Sequence, residues 1–121
     1  MISRGIRGAI TLEANTKEEI EKATVELLNS MLFQNEITTK DISFAIFTLT
    51  SDLNADFPAK YARINCGFEL VPMMCYQELD VVGSLRMCLR ILLNVNTDKT
   101  QEEIKHIYLK GATILRGDLK W

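Results

Sequence analysis

Two arginines sit where a plain surface charge is not the obvious explanation. Arg7 lies between Gly5 and Ala9, residues small enough to leave space above a strand, and Arg90 alternates with apolar residues beside Cys88 and Leu92. Taken singly, each reads as a solvated strand residue. Taken together they suggest a carboxylate pocket, because a guanidinium fork matches carboxylate geometry and stays protonated. Lys60 and Arg63 are three apart and point the same way from a helix, which also fits an ordinary solvated face. Cys75 and Glu78 follow Pro72 in MMCYQELD, a stretch without clear periodicity, where Glu78 also reads as an exposed loop acid. Tyr108 alternates with Ile107 and Leu109 and serves equally as a packing residue or a ligand contact.

Other catalytic machinery is missing from the sequence. There is no phosphate-cradling Gly-rich loop and no dinucleotide fingerprint. His106 is the sole imidazole, with no Ser or Cys nucleophile beside it; a spatial pairing with Cys75 stays open, since such pairs need not be close in sequence. Cys66, Cys75 and Cys88 are odd in number and lack metal-ligand spacing, so reduced thiols, no metal and no cofactor are expected. A cationic pocket without a nucleophile suits either anion binding or a reaction run by positioning and electrostatics.

The bulk numbers leave room for such a site. The 121 residues suffice for one domain, 1–121, and 47% hydrophobic with 25% charged residues is an ordinary globular composition. The 14 Lys+Arg against 16 Asp+Glu give a net charge of −2, which provides no global field for nucleic acid. Acids crowd between Glu13 and Glu26 while every arginine lies elsewhere, so a local cationic site is compatible with the acidic balance. No run approaches the ~20 apolar residues of a membrane span, and the first nine residues, with Arg4 and Arg7, do not read as a signal peptide. A cytoplasmic protein with no membrane or nucleic-acid partner is expected.

The elements that must position these residues follow from periodicity. Alternation predicts strands over 2–12 and 85–95, and shorter ones over 69–74, 106–109 and 112–115. Thr16 and Glu19 form a capping box opening a helix whose buried stripe is Ile20, Ala23, Thr24, Leu27, Leu28, Met31 and Leu32. Residues 42–49 (ISFAIFTL) are apolar on both faces and predict a strand covered on both sides. Pro58 at a first helical position and Gly67 at C′ frame a short helix over 58–66, and Thr100 with Glu103 caps another. The result is an α+β fold, a mixed sheet packed on one long helix plus short helices. One long helix cannot cover both faces of such a sheet, so a subunit interface is the expected second cover.

At this point RGIRGAIT, DLNADFPAKYAR, VPMMCYQELDV with LRMCLRILL, and HIYLKGATILR together resemble the monofunctional bacterial chorismate mutases, collinearly and over nearly the whole chain. The resemblance implies a homotrimer forming a pseudo α/β-barrel, with sites in clefts between chains and chorismate as substrate. It implies that Arg7 and Tyr108 hold the enolpyruvyl carboxylate. Arg90 would reach a carboxylate and the ether oxygen, and Glu78 and Cys75 the ring hydroxyl, within a segment Met74, Cys75, Tyr76, Gln77 and Glu78 along the substrate. Phe57, Lys60 and Arg63 resemble a wall supplied by a neighbouring chain, and Leu115 with Arg116 a C-terminal cover. Tyr61, Met73, Met74 and Gly117 depart from the family pattern, with Tyr61 expected to reshape the neighbouring wall. Two rival readings are a non-catalytic trimeric carboxylate-binding protein and a reactive-imine deaminase of similar trimeric architecture. Glu78 beside Arg90 argues against the first, because simple anion binding gains nothing from a carboxylate next to the ligand.

Overall fold

The computed structural model describes residues 1–115. Strand β1 (Ile2–Thr11) leads into helix α1 (Lys17–Asn35), followed by β2 (Ile42–Leu49), α2 (Pro58–Asn65), β3 (Met73–Gln77), β4 (Cys88–Thr97) and β5 (Ile107–Leu109). Short 3-10 turns lie at Thr39–Asp41, Gln101–Glu103 and Lys110–Ile114. The five strands form one mixed sheet in the order β3-β2-β4-β1-β5. Strand β4 is antiparallel to β1 and β2, while the two edge strands run parallel to their neighbours. Among the described residues no helix is long and apolar enough to cross a membrane.

Alternation along the strands decides which face is the core. In β4, Leu89, Ile91, Leu93 and Val95 are buried, and Ile6 and Ile10 of β1 join them on the same face. Helix α1 covers that face with Ile20, Ala23, Thr24, Leu27, Leu28 and Met31; each large side chain so buried contributes about 1.5–3 kcal/mol. Leu32, the last residue of the expected stripe, is partly buried against the same core. The helix can approach closely because β1 carries Gly8, where an added Cβ would come 2.5 Å from Met31 Sδ and 3.1 Å from Leu27 Cδ1. Thr16 caps α1 by accepting the Glu19 N–H at 3.1 Å, and Thr100 and Glu103 form the full reciprocal box at their turn.

Side chains finish the sheet where β5 is too short to do so. Strand β5 pairs only with Gly8, Ala9 and Ile10. Beyond it, the Gln101 carboxamide accepts the Gly5 N–H at 3.2 Å and donates to the Gly5 carbonyl at 2.8 Å. His106 Nδ1 accepts the Arg7 N–H at 2.9 Å. Buried Asn35, at the end of α1, donates to the Lys105 carbonyl and accepts the Lys105 N–H, so the segment before β5 is tied to the helix as well.

Three expectations need correction. The strand expected over 69–74 lies later, at Met73–Gln77: Gly67 (φ 75°) ends α2, Val71 N–H closes a turn on Phe68, and pairing starts only where the Pro72 carbonyl accepts from Ala45. Strand β4 starts at Cys88 rather than Leu85, because Met87 is left-handed (φ 52°) and its N–H is held by both Asp52 oxygens at 3.1 Å. Residues 112–115 are not a strand. Lys110 turns the chain at φ 55°, Gly111 N–H donates to Thr11 Oγ1 at 2.8 Å, and the following 3-10 turn folds buried Ala112 onto β1. Within the chain β2 is covered on one face, with Ala45 and Phe47 buried and Phe44 39% exposed, which leaves the other face to the second cover expected from another subunit.

Helix α2 shows what Tyr61 does. The residue is buried, and its phenol donates to Asp56 Oδ2 at 2.7 Å rather than standing out as a wall. The other Asp56 oxygen accepts the Phe57 N–H at 2.8 Å, and Lys60 Nζ lies 3.2 Å from Oδ2. The Tyr61 hydrogen bond first, then that of Phe57, holds the Asp56 carboxyl down at about 2, and the same bond pushes Tyr61 up to about 12. A carboxyl depressed in the folded chain supports folding above its unfolded value, and that support is lost as pH falls through the folded value. The support of Asp56 for the start of α2 is therefore intact at pH 5 and lost between about pH 4 and pH 2. In Tyr61→Phe, the Asp56 carbon resonance followed by NMR titrates closer to an ordinary carboxylate, and an unmoved titration would show that the phenol is not what lowers it.

Candidate active site

The sheet face turned away from α1 carries several of the expected site residues in two neighbouring rows. The strand registers place Tyr76 of β3 beside Thr48 of β2, Thr48 beside Arg90 of β4, Arg90 beside Ala9 of β1, and Ala9 beside Tyr108 of β5. One step along lies a second row with Met74, Ile46, Leu92 and Arg7. Between them is a hollow of about 260 Å³ lined by Arg7, Ala9, Thr48, Glu78, Arg90 and Tyr108. Small Ala9 opens this space, as the alternation of Gly5, Arg7 and Ala9 implied.

Glu78 follows β3 directly, and its N–H donates to the Leu49 carbonyl at 2.8 Å, which carries the pairing one residue past the strand. Its carboxylate turns across the sheet. Oε2 accepts the Thr48 hydroxyl at 2.7 Å and lies 3.4 Å from Arg90 Nε. The Arg90 Nε atom is buried and, among the described residues, makes no hydrogen bond, only this ion pair with Glu78. A buried guanidinium N–H whose nearest acceptor is too poorly placed for a hydrogen bond is costly, so a ligand oxygen placed there gains more than it would in water. Thr48 is the residue that sequence reasoning missed. Its one signal was a lone hydroxyl near the end of ISFAIFTL, on the face that a single helix could not cover.

The remaining expected residues are distributed as follows. Met74 and Tyr76 lie on the open face of β3, both about half exposed. Cys75 faces the other way: it pairs with fully buried Phe47 and packs against the core, and burial pushes its thiol pKa up. Its expected contact with a hydroxyl in the hollow is therefore not made through the thiol as the strand stands. Cys75 and Gln77 instead border a separate concavity of about 430 Å³ with Asp56 and Phe57. Phe57, Lys60 and Arg63 do not line the Arg7–Arg90 hollow of their own chain. Leu115 packs with Tyr108 and Leu85 against Ala9, Cys88 and Ala112, and Arg116 and Gly117 lie outside the described residues. Cys75 and His106 belong to opposite edges of the sheet, so they form no pair. All three cysteines are free, and burial raises each thiol's pKa, which makes them poor nucleophiles. Among the described residues no cluster of His, Cys, Asp or Glu has the makings of a metal site.

Two guanidinium groups and one fixed carboxylate thus face a common hollow on a rigid sheet. Such a constellation can orient an anion and favour charge developing at a defined atom. Comparison with known proteins gives the family. Residues 3–119 match the chorismate mutase type I family. The chain is 43% identical over 119 residues to the chorismate mutase AroH of Bacillus subtilis, covering 98% of this chain and 94% of that one. It is 46% identical over 118 residues to the chorismate mutase AroH of Thermus thermophilus, covering 97% and 96%. A solved chorismate mutase structure from Clostridium thermocellum superposes with a TM-score of 0.89 at 48% identity, over 92% of this chain and 98% of that one.

Proposed function

The chain belongs to the type I chorismate mutases, and we propose that it rearranges chorismate to prephenate on the open face of its sheet by charge and positioning alone. It is an isomerase of aromatic amino-acid biosynthesis. The reaction breaks a C–O bond and forms a C–C bond within one dianionic molecule, with no proton transfer and no nucleophile. What the enzyme must supply is a compact, near-attack conformer and stabilisation of negative charge growing on the ether oxygen. Arg7 and Tyr108 hold the enolpyruvyl carboxylate. Arg90 serves a carboxylate and the ether oxygen together, and Glu78 accepts the ring hydroxyl. The observation that carries this reading is the buried Arg90 Nε, which among the described residues makes no hydrogen bond, in a hollow shared with Arg7 and Glu78. Its three reduced thiols suit a reducing compartment, the cytoplasm.

The active species is a homotrimer in this reading. Phe44, Leu92, Met74 and Tyr76 are 38–58% exposed on the face that no helix covers, which favours burial against another copy. Phe57, Lys60 and Arg63 then come from the neighbouring chain, and Leu115–Arg116 closes over the substrate.

Three measurements test these assignments. Arg90→Lys keeps a cation but cannot serve two oxygens at fixed geometry. At saturating chorismate, followed by its absorbance, its kcat falls at least ~100-fold, or about 2.7 kcal/mol. A folded variant with near-normal kcat and a raised KM would reduce Arg90 to a binding residue. Thr48→Val removes the hydroxyl that fixes Glu78 while keeping the side-chain shape, and kcat/KM falls about tenfold; an unchanged kcat/KM would mean that Glu78 needs no such support. Arg90→Ala and Arg63→Ala, each inactive, regain part of the activity when unfolded together and refolded as mixed trimers, because some clefts then contain neither lesion. No recovery despite proven mixing would count against shared sites, and an active monomer would remove the trimer.

A further inference from the structure

The backbone beneath Arg7 is held by a side chain outside the hollow. Strand β5 pairs with β1 only at Gly8, Ala9 and Ile10, so the Arg7 N–H falls one residue beyond the ladder. His106, the residue before β5, fills that place: its Nδ1 accepts the Arg7 N–H at 2.9 Å. A neutral imidazole accepts at one nitrogen and donates at the other, so this bond puts the ring proton on Nε2. Two residues on, Tyr108 lines the hollow beside Ala9. A single side chain thus joins the backbone of Arg7 to the strand that carries Tyr108.

We propose that His106 is a positioning residue for Arg7, whose neutral imidazole fixes the backbone from which the guanidinium reaches the substrate carboxylate and which releases that backbone when protonated. The inference rests on the reading that Arg7 holds a carboxylate. Protonation turns Nδ1 into a donor facing a donor, so the bond cannot survive it. An imidazole ordinarily takes up its proton near pH ~6.5, whereas carboxylates like those of the substrate stay ionised well below that. Among the described residues, Lys99, Glu102, Glu103 and Lys105 of the preceding turn border the same concavity as His106, and from β1 the Arg7 backbone N–H meets the ring. From α1, Glu36 faces this turn but is paired with Lys99 at 2.8 Å, and neighbouring Asn35 is uncharged. Acid should therefore weaken substrate binding and leave the chemical step at saturation largely intact.

The test is steady-state kinetics on chorismate at about pH 7.5 and about pH 5.5, with circular dichroism and oligomer size checked for each variant. In His106→Asn the Oδ1 atom takes the place of Nδ1, accepts the same N–H and does not titrate; His106→Leu has no acceptor. At the higher pH, KM rises about tenfold in His106→Leu with kcat within about twofold, while His106→Asn keeps a KM near that of the wild type. At the lower pH, KM of the wild type climbs towards that of His106→Leu and KM of His106→Asn does not. In an Arg7→Gln background, His106→Leu adds less than about twofold, because the two residues act as one unit. A His106→Leu KM equal to that of the wild type, a folded His106→Asn as impaired as His106→Leu, or an undiminished cost in the Arg7→Gln background would each overturn the proposal. If His106→Leu does not fold, the pH dependence of His106→Asn against the wild type decides it alone. An Arg7→Gln enzyme with an unchanged KM would instead overturn the carboxylate reading beneath it.

Discussion

One long helix against five strands is the constraint from which the rest follows. Helix α1 lies on Gly8 and buries the Leu89, Ile91, Leu93 and Val95 side of β4, and among the described residues no other helix is long enough to do the same for the other side. A two-layer domain must leave its second sheet face to water, to another copy or to a ligand. Here that face is divided. Exposed apolar side chains such as Phe44, Met74 and Leu92 favour a partner surface, and Arg7, Thr48 and Arg90 beside them favour an anion. Uncovered apolar area and functional charge are two consequences of the same shortage of helices.

Placing charge on strands rather than on loops has a physical advantage for a reaction that needs no proton transfer. When catalysis consists of holding a conformer and presenting a fixed dipole, geometric error is the main loss. Arg90 is flanked on both sides by paired strands, and its position is set by ladders to β1 and β2. Arg7 stands at a less secure place, on a strand whose outer partner has already ended. The edge is completed there by Gln101 and His106 acting as substitutes for backbone, and the turn that carries them is anchored to α1 through Asn35. Such substitution leaves few unpaired edge groups near Arg7, and it makes the geometry at Arg7 answer to the state of a side chain.

Much of this was legible in the sequence because it depends on local periodicity. The β1 alternation, the α1 stripe and the Pro58–Gly67 frame of α2 each rest on side-chain spacing that tertiary contacts did not override. The errors fall where a single dihedral decides the outcome. Met87 and Lys110 take left-handed backbone without being glycine, and no pattern of hydrophobicity announces that. Arg7 and Arg90 could be nominated from their small and apolar neighbours, and family resemblance supplied their partners. Thr48 and the orientation of Cys75 could not be read, because both depend on the register of β2 against β3 and β4, a long-range property.

The pairing of Glu78 with Arg90 looks unfavourable for a site that binds a dianion, yet in the proposed mechanism it separates catalysis from capture. A free guanidinium in a hollow would seize any carboxylate and could turn to meet it. With Glu78 Oε2 at 3.4 Å, and that oxygen itself fixed by Thr48 at 2.7 Å, the Arg90 side chain is held before the ligand arrives. The carboxylate partly offsets the positive charge, which lowers affinity for small anions, while the buried Nε makes no hydrogen bond among the described residues. A chorismate that donates its hydroxyl to Glu78 and offers oxygens to Arg90 satisfies both groups, and a simple carboxylate satisfies only one. In the proposed mechanism the interaction then strengthens as charge grows on the ether oxygen, which is the differential binding that accelerates a reaction rather than merely retaining its substrate.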